Sequence, residues 1–308
     1  MIVDIRTRSW TGKDPLTPVC FPARARSAPT PAEPDASRST YHRATAIVDA
    51  AVLVGWRADR CNVHIAAESI AALVHEAPER LLGFAPIDPT SDTALDDIDA
   101  ALDLGLSGLT YAPADQGCRP TDDRALAVLE KAASKNLPVL VSNPCLASTD
   151  SVLDFARPVL LDEAARTLPD LTLILGDIGY AWADEAILMA LRHERVFVEI
   201  SSVVARPWAL YSTLTYAYER GATNKLLFAS GFPYCTPEHA IENIYTVNAI
   251  RGASSLPGVP RETLRAIIER DTLHALGIEP LPQGATVARD DRAAAPAPAA
   301  MATNPANE

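Results

Sequence analysis

Short runs of apolar and β-branched residues recur along the chain, separated by longer stretches whose apolar positions return every three or four residues. The short runs predict strands at 2–5, 51–55, 81–86, 108–112, 138–141, 172–175, 196–200 and 225–229. The longer stretches predict helices at 66–77, 93–104, 123–135, 158–168, 182–192, 208–219 and 237–249, with a closing pair at 261–270 and 272–276. The strands are apolar throughout rather than alternating, which suits a parallel sheet covered on both faces. A doubly wound sheet would produce the same local pattern, but eight β units in a chain of this length favour an α/β fold of the (β/α)8 barrel type. In such a barrel the residues just past each strand's C-terminal end line the site.

Two segments break the alternation. Residues 20–43, CFPARARSAPTPAEPDASRSTYHR, are rich in Pro, Ala, Ser and Arg and carry no apolar period, so they predict a long loop or partly disordered insertion. Residues 281–308 are dominated by alanine and proline and predict a disordered tail. One barrel domain over 1–280 accounts for the rest.

Composition narrows the function classes. Against 39 Asp and Glu the chain has 27 Lys and Arg, a formal charge of −12. That balance argues against a nucleic-acid binder and against a polybasic membrane-surface protein. No run approaches the ~20 apolar residues of a membrane span. The opening MIVDIRTRSW is charged almost at once and has no signal-peptide core, so a cytoplasmic location is expected. The five cysteines, Cys20, Cys61, Cys118, Cys145 and Cys235, contain no CxxC and predict free thiols in a reducing compartment.

The strand ends carry a family pattern. From LPDLTLILGDIGYAWADEA through RHERVFVEISS to GATNKLLFASGFPY, the chain resembles the amidohydrolase-related metal-dependent hydrolases and decarboxylases, TIM-barrel members of the amidohydrolase superfamily. VDIRTRSW resembles that family's first strand, LLGFAPIDP its third, GLSGLTYAP its fourth, NLPVLVSNP its fifth and ERDTLHALGI its closing helix. The resemblance covers roughly residues 1–19 and 44–278 and implies a hydrolase or carboxy-lyase, often oligomeric. It also implies a divalent metal held by His-x-His after strand one, histidines ending strands five and six, and an aspartate ending strand eight. Here those positions fall on Arg6 and Arg8, Ser142, Asp177 and Gly231, and a lysine sometimes seen at strand four falls on Thr110. A guanidinium has five donors and no acceptor, so it repels a metal ion rather than binding it. Gly231 has no side chain, and one carboxylate does not hold zinc. No metal at these positions and no cofactor are therefore expected.

Other candidates follow from the strand-end rule. Arg6 and Arg8 are two apart on a strand and leave on one face. They predict, with Asp177, either a site for a carboxylate or phosphate or a self-contained Arg–Asp network plugging an obsolete cavity. Tyr111, Asn143, Tyr180, Glu199, Ser201 and Ser230 also fall near strand ends, and Arg206 is a candidate partner for Glu199. Among His42, His64, His75, His193, His239 and His274 no two have HxH or HExxH spacing, so a relocated zinc site is not expected. Cys235 and His239 are four apart, but Thr236 and Pro237 predict a helix N-cap and first helical residue there instead. Three functions are compatible with this sequence. The first is a pseudoenzyme barrel binding a small anion or a protein partner, the second a metal-independent hydrolase or decarboxylase, the third an ordinary metal-dependent amidohydrolase.

Overall fold

The computed structural model describes residues 1–10, 34–146, 148–178 and 181–279. The first part of the 20–43 segment, Tyr180 and the 281–308 tail lie outside the described residues. Eight strands run in sequence order around one parallel sheet: β1 Val3–Thr7, β2 Ala50–Val54, β3 Leu81–Pro86, β4 Gly108–Tyr111, β5 Val139–Val141, β6 Leu173–Leu175, β7 Val196–Glu199 and β8 Leu226–Leu227. The sheet closes on itself through Ile5 N to Phe228 O at 3.2 Å, Gly231 N to Arg6 O at 3.1 Å and Arg8 N to Phe232 O at 3.0 Å. All eight predicted strands are present, and the (β/α)8 barrel is the observed fold. Parallel neighbours demand crossovers, and the helices between strands supply them.

The helices are α1 Arg38–Thr45, α2 Ala67–Val74, α3 Ala94–Asp103, α4 Asp123–Ser134, α5 Asp162–Thr167, α6 Ala183–Arg192, α7 Pro207–Glu219, α8 Pro237–Thr246, α9 Arg261–Ile268 and α10 Thr272–Leu276. None of those described is long and apolar enough to cross a membrane. Inward residues, among them Val3, Ile5, Val52, Val54, Phe84, Leu140, Ile174, Phe197 and Leu227, fill the barrel. A second apolar layer lies between the strands and the helices. In the β1–β2 pairing Asp4 stands opposite Ala51 and Thr7 opposite Leu53, so Ile5 and Arg6 together face the single residue Val52. Such a bulge bends the strand and re-aims a side chain; here it lies at Arg6.

The structure adds to the sequence reading at three places. Residues Arg57–Ala58 and Val63–His64 make a small antiparallel hairpin beyond β2, and Pro113–Gln116 forms one helical turn beyond β4. The third is α1, inside the segment expected to be an insertion without regular structure. Its buried residues are Tyr41 and Thr45, of which only Tyr41 is a large apolar side chain, so no apolar period marks it. The Tyr41 ring meets Phe232 edge-on with centroids 5.7 Å apart, and its hydroxyl lies 3.0 Å from Thr7 Oγ1. That contact ties α1 to β1 and to the chain after β8. Deleting such a side chain costs about 3–5 kcal/mol, from lost burial and the cavity left behind. Tyr41→Ala should show that loss in urea unfolding. Arg38→Ala, which breaks only an exposed ion pair to Glu76, should change stability by about 1 kcal/mol or less. Equal, small effects would mean that α1 is not anchored through Tyr41.

Candidate functional site at the barrel mouth

Arg6 leaves the bulged end of β1 and is buried at the C-terminal rim of the barrel. Its Nη1 donates to Asp177 Oδ1 at 2.6 Å, to Glu199 Oε1 at 2.5 Å and to Ser201 Oγ at 3.1 Å. Ser142 Oγ, just past β5, donates to Asp177 Oδ2. Glu199 is fully buried and also accepts from Asp177 N at 2.8 Å and Ser201 N at 2.6 Å. The ends of β1, β5, β6 and β7 thus meet on one guanidinium and two carboxylates. Burial works against charge on Arg6, but the carboxylates of Asp177 and Glu199 outweigh it and raise its pKa. Burial likewise opposes ionised Asp177, and Arg6 outweighs it, so the Asp177 carboxyl is held below its ordinary range. Both partners stay charged.

The backbone is shaped for this contact. Asp177 takes φ +55, a left-handed conformation that Asp tolerates better than most residues. A Cβ on the preceding Gly176 would stand 2.7 Å from Ser142 Cβ and 3.2 Å from Glu199 Oε1, so glycine is required between them. Gly231, at the strand-eight position, has φ +70, and a Cβ there would lie 3.2 Å from Ser201 Cβ. Any side chain added at that position would meet local strain.

Arg8 does not share the Arg6 hydrogen bonds. Its guanidinium lies 5.1 Å from the Tyr234 ring centroid, and its buried Nε has no hydrogen-bond partner among the described residues. Its charge still reaches Asp177 and helps hold it ionised. Trp56, beyond β2, stacks 5.5 Å from the Arg6 guanidinium, and its buried indole Nε1 likewise has no partner among the described residues. Asp4, fully buried, accepts from Ser230 N at 2.9 Å and Arg6 N at 3.3 Å through Oδ1, while Oδ2 has no partner among the described residues. Burial pushes its pKa up to about 7.

The remaining sequence candidates serve local structure. Tyr111 packs in the outer apolar layer and donates to Cys118 O at 3.2 Å, so the structure does not bring it to Arg6. Asn143 Oδ1 accepts from Ala114 N at 2.7 Å, holding the turn after β4. Ser230 donates its amide to Asp4 Oδ1, and its hydroxyl oxygen accepts from Phe232 N at 3.0 Å. Glu199 pairs with Arg6 across the barrel and not with Arg206, seven residues along the chain, because closure of the barrel brings β1 to β7's rim. Thr236 Oγ1 accepts from His239 N at 3.2 Å, capping α8 as its sequence predicts. Burial raises the Cys235 thiol to about 11, away from nucleophile chemistry.

One group was not anticipated. Cys61, Asp115 and Cys145 lie beyond β2, β4 and β5, all buried, with their ligand atoms within 4.8 Å of one another. Burial raises the Asp115 carboxyl to about 6, and burial with the nearby Asp115 charge raises the Cys61 thiol to about 12. No spacing motif marks these three; the one available signal was that each follows the C-terminal end of a barrel strand.

An eight-stranded parallel barrel with its ionisable groups gathered at the C-terminal rim has the architecture of a TIM-barrel enzyme. The amidohydrolase family model matches residues 3–270, and the chain belongs to that family. Among solved structures it is similar to an uncharacterised TIM-barrel protein from Bordetella bronchiseptica, at 17% identity, TM-score 0.67, covering 90% of this chain and 99% of that one. It is also similar to a probable 2-pyrone-4,6-dicarboxylic acid hydrolase from Acinetobacter baumannii with citric acid bound, at 13% identity, TM-score 0.60 and coverage of 90% and 99%. A third is 5-carboxyvanillate decarboxylase from Sphingomonas paucimobilis, at 13% identity, TM-score 0.60 and coverage of 90% and 99%. A search of curated proteins gives no match.

Two measurements check the electrostatics. Glu199→Ala leaves Arg6 short of an acceptor and should cost about 3–5 kcal/mol. Arg6→Met should cost less in that background than alone, with a coupling above ~1 kcal/mol in the double-mutant cycle. Additive losses would mean that the two side chains do not interact. The second concerns Asp4, whose carboxyl keeps its proton in the folded chain up to about pH 7 but loses it near 3.8 when unfolded. Between those values the folded state binds more protons, so stability falls as pH rises, by up to about 1.4 kcal/mol per pH unit from this group. Asp115 acts in the same direction up to about pH 6. Asp4→Asn should therefore flatten, without abolishing, the decline in melting temperature between pH 4 and 7. An unchanged slope would place the titrating group elsewhere.

Proposed function

We propose that the barrel mouth binds a small carboxylate-bearing anion received by Arg8, and that the family's inherited metal chemistry does not operate there. The observation that carries this is the contrast between the two arginines. Arg6 is spent on Asp177 and Glu199, whereas Arg8 is buried and stacked on Tyr234, with Nε lacking an acceptor among the described residues. A forked guanidinium receives a carboxylate through two parallel hydrogen bonds. The names of two structural relatives contain carboxylated compounds, and one of those structures holds citric acid.

The inherited metal positions do not fit a divalent ion. Arg6 and Arg8 bring positive charge and no lone pair, Gly231 brings nothing, and Ser142 is engaged as donor to Asp177. The Arg6 guanidinium supplies positive charge at this rim, and its hydrogen bonds hold Asp177 and Glu199. Neither carboxylate is then available as a general base, which favours binding over turnover.

The test is thermal stabilisation by citrate against a sodium chloride control of equal ionic strength. Wild type should gain several degrees at millimolar citrate, by mass action on the folded state. Arg8→Met should lose most of that gain, and Arg38→Ala should keep it. No gain in wild type, or an equal gain in Arg8→Met, would overturn the proposal.

A further inference from the structure

We infer that Cys61, Asp115 and Cys145 form a binding site for a borderline-soft divalent cation of the zinc type, separate from the inherited metal positions. These residues are far apart in sequence and meet because the chain returns three times to one sector of the rim. Cys61 ends the 3-10 turn Asp59–Cys61 beyond β2, Asp115 sits in the turn Pro113–Gln116 beyond β4, and Cys145 follows β5. Their two sulfurs and carboxylate oxygen lie within 4.8 Å of one another. Zn–S bonds of 2.3 Å at tetrahedral angles require sulfurs ~3.8 Å apart, so a small closure of the group completes the geometry.

A second, independent feature points to a cation. The Asp115 carboxylate is fully buried and forms no ion pair with any described arginine, lysine or histidine. It is held instead by neutral donors, Cys145 N at 2.8 Å and Ser151 Oγ at 2.7 Å. Buried carboxylates normally lie beside a positive charge or a metal. Two hydrogen bonds orient this one without neutralising it, as outer partners orient a metal-binding carboxylate.

The ligand set selects the metal. Two thiolates with one carboxylate suit zinc, whereas magnesium and calcium prefer all-oxygen shells. Binding would displace the protons of both thiols, so affinity should fall as pH drops. The supporting shell is rigid. Gln116 Nε2 donates to Arg57 O and to Ile87 O, each at 2.8 Å, fixing the Asp115 turn to the hairpin and to the chain after β3. Arg60 Nε donates to Asp150 O at 2.5 Å, joining the Cys61 turn to the loop that follows Cys145. Three protein ligands leave one coordination position for water or another small ligand.

The experiment uses the full chain, stripped with a chelator under reducing conditions, and adds zinc or cobalt alone. We expect one equivalent of zinc to be retained on gel filtration. Cobalt should give the intense thiolate charge-transfer absorption in the near ultraviolet, with tetrahedral visible bands. Cys61→Ser, Cys145→Ser and Asp115→Asn should each weaken zinc binding by at least about tenfold, since even outer-shell changes reach that size, while Cys235→Ser should not. The cobalt spectrum of the wild type reports the thiolates even where a variant fails to fold. Absence of saturable binding, a cobalt spectrum without thiolate absorption, or retention unaffected by the variants would overturn the inference. So would a Cys61–Cys145 disulfide in protein kept from added oxidant.

Discussion

The mouth of this barrel depends on the buried guanidinium of Arg6. Arg6 cannot shed its proton, and a charge taken out of water must find its counter-charge within a few ångströms. Asp177 and Glu199 stand within hydrogen-bond reach of it from two other strands. Much of the local shape fits that need: the bulge in β1, the left-handed backbone at Asp177, the absent side chain at Gly176 and the seryl hydroxyl of Ser142. The interaction also joins the first strand of the chain to the sixth and seventh, reinforcing the backbone contacts by which β1 closes on the chain after β8.

The same interaction separates this chain's proposed chemistry from its fold. The order of strands and helices is that of the amidohydrolase family, whose model matches this chain over residues 3–270. What a barrel does is set by the groups at its rim, which vary independently of the scaffold. A cation contributed by the protein can balance rim carboxylates as a bound metal would, but it offers no open coordination position. On this reading Arg6 stabilises the mouth and Arg8 is the group left to meet a ligand. The Cys61, Asp115 and Cys145 group lies in another sector of the rim and brings the opposite chemistry, lone pairs without a cation.

Legibility differed sharply between the two groups. Arg6, Ser142 and Asp177 could be placed from sequence because each follows a strand whose order is known, and the strand-end rule assigns them to one rim. Glu199 could be placed at the rim but not paired, since its nearest arginine in sequence is not its nearest in space. Tyr111 shows the limit of the rule: one step along a strand turns a side chain from the barrel interior to the helix layer. Cys61 and Cys145 looked like two unrelated thiols, because ligand spacing is informative only when ligands share a turn or a helix. α1 was invisible for a related reason, as one buried tyrosine and one buried threonine create no apolar period.

The sequence by itself determined the eight strands, most of the helices and their winding, because apolar periodicity is local and each strand–helix unit repeats it. It also determined the family, since this follows from order along the chain. Tertiary structure alone decided which charges share a contact, which donors are buried without an acceptor, and that two cysteines and an aspartate converge. Those are properties of distance between residues up to about two hundred positions apart, and only closure of the barrel sets that distance.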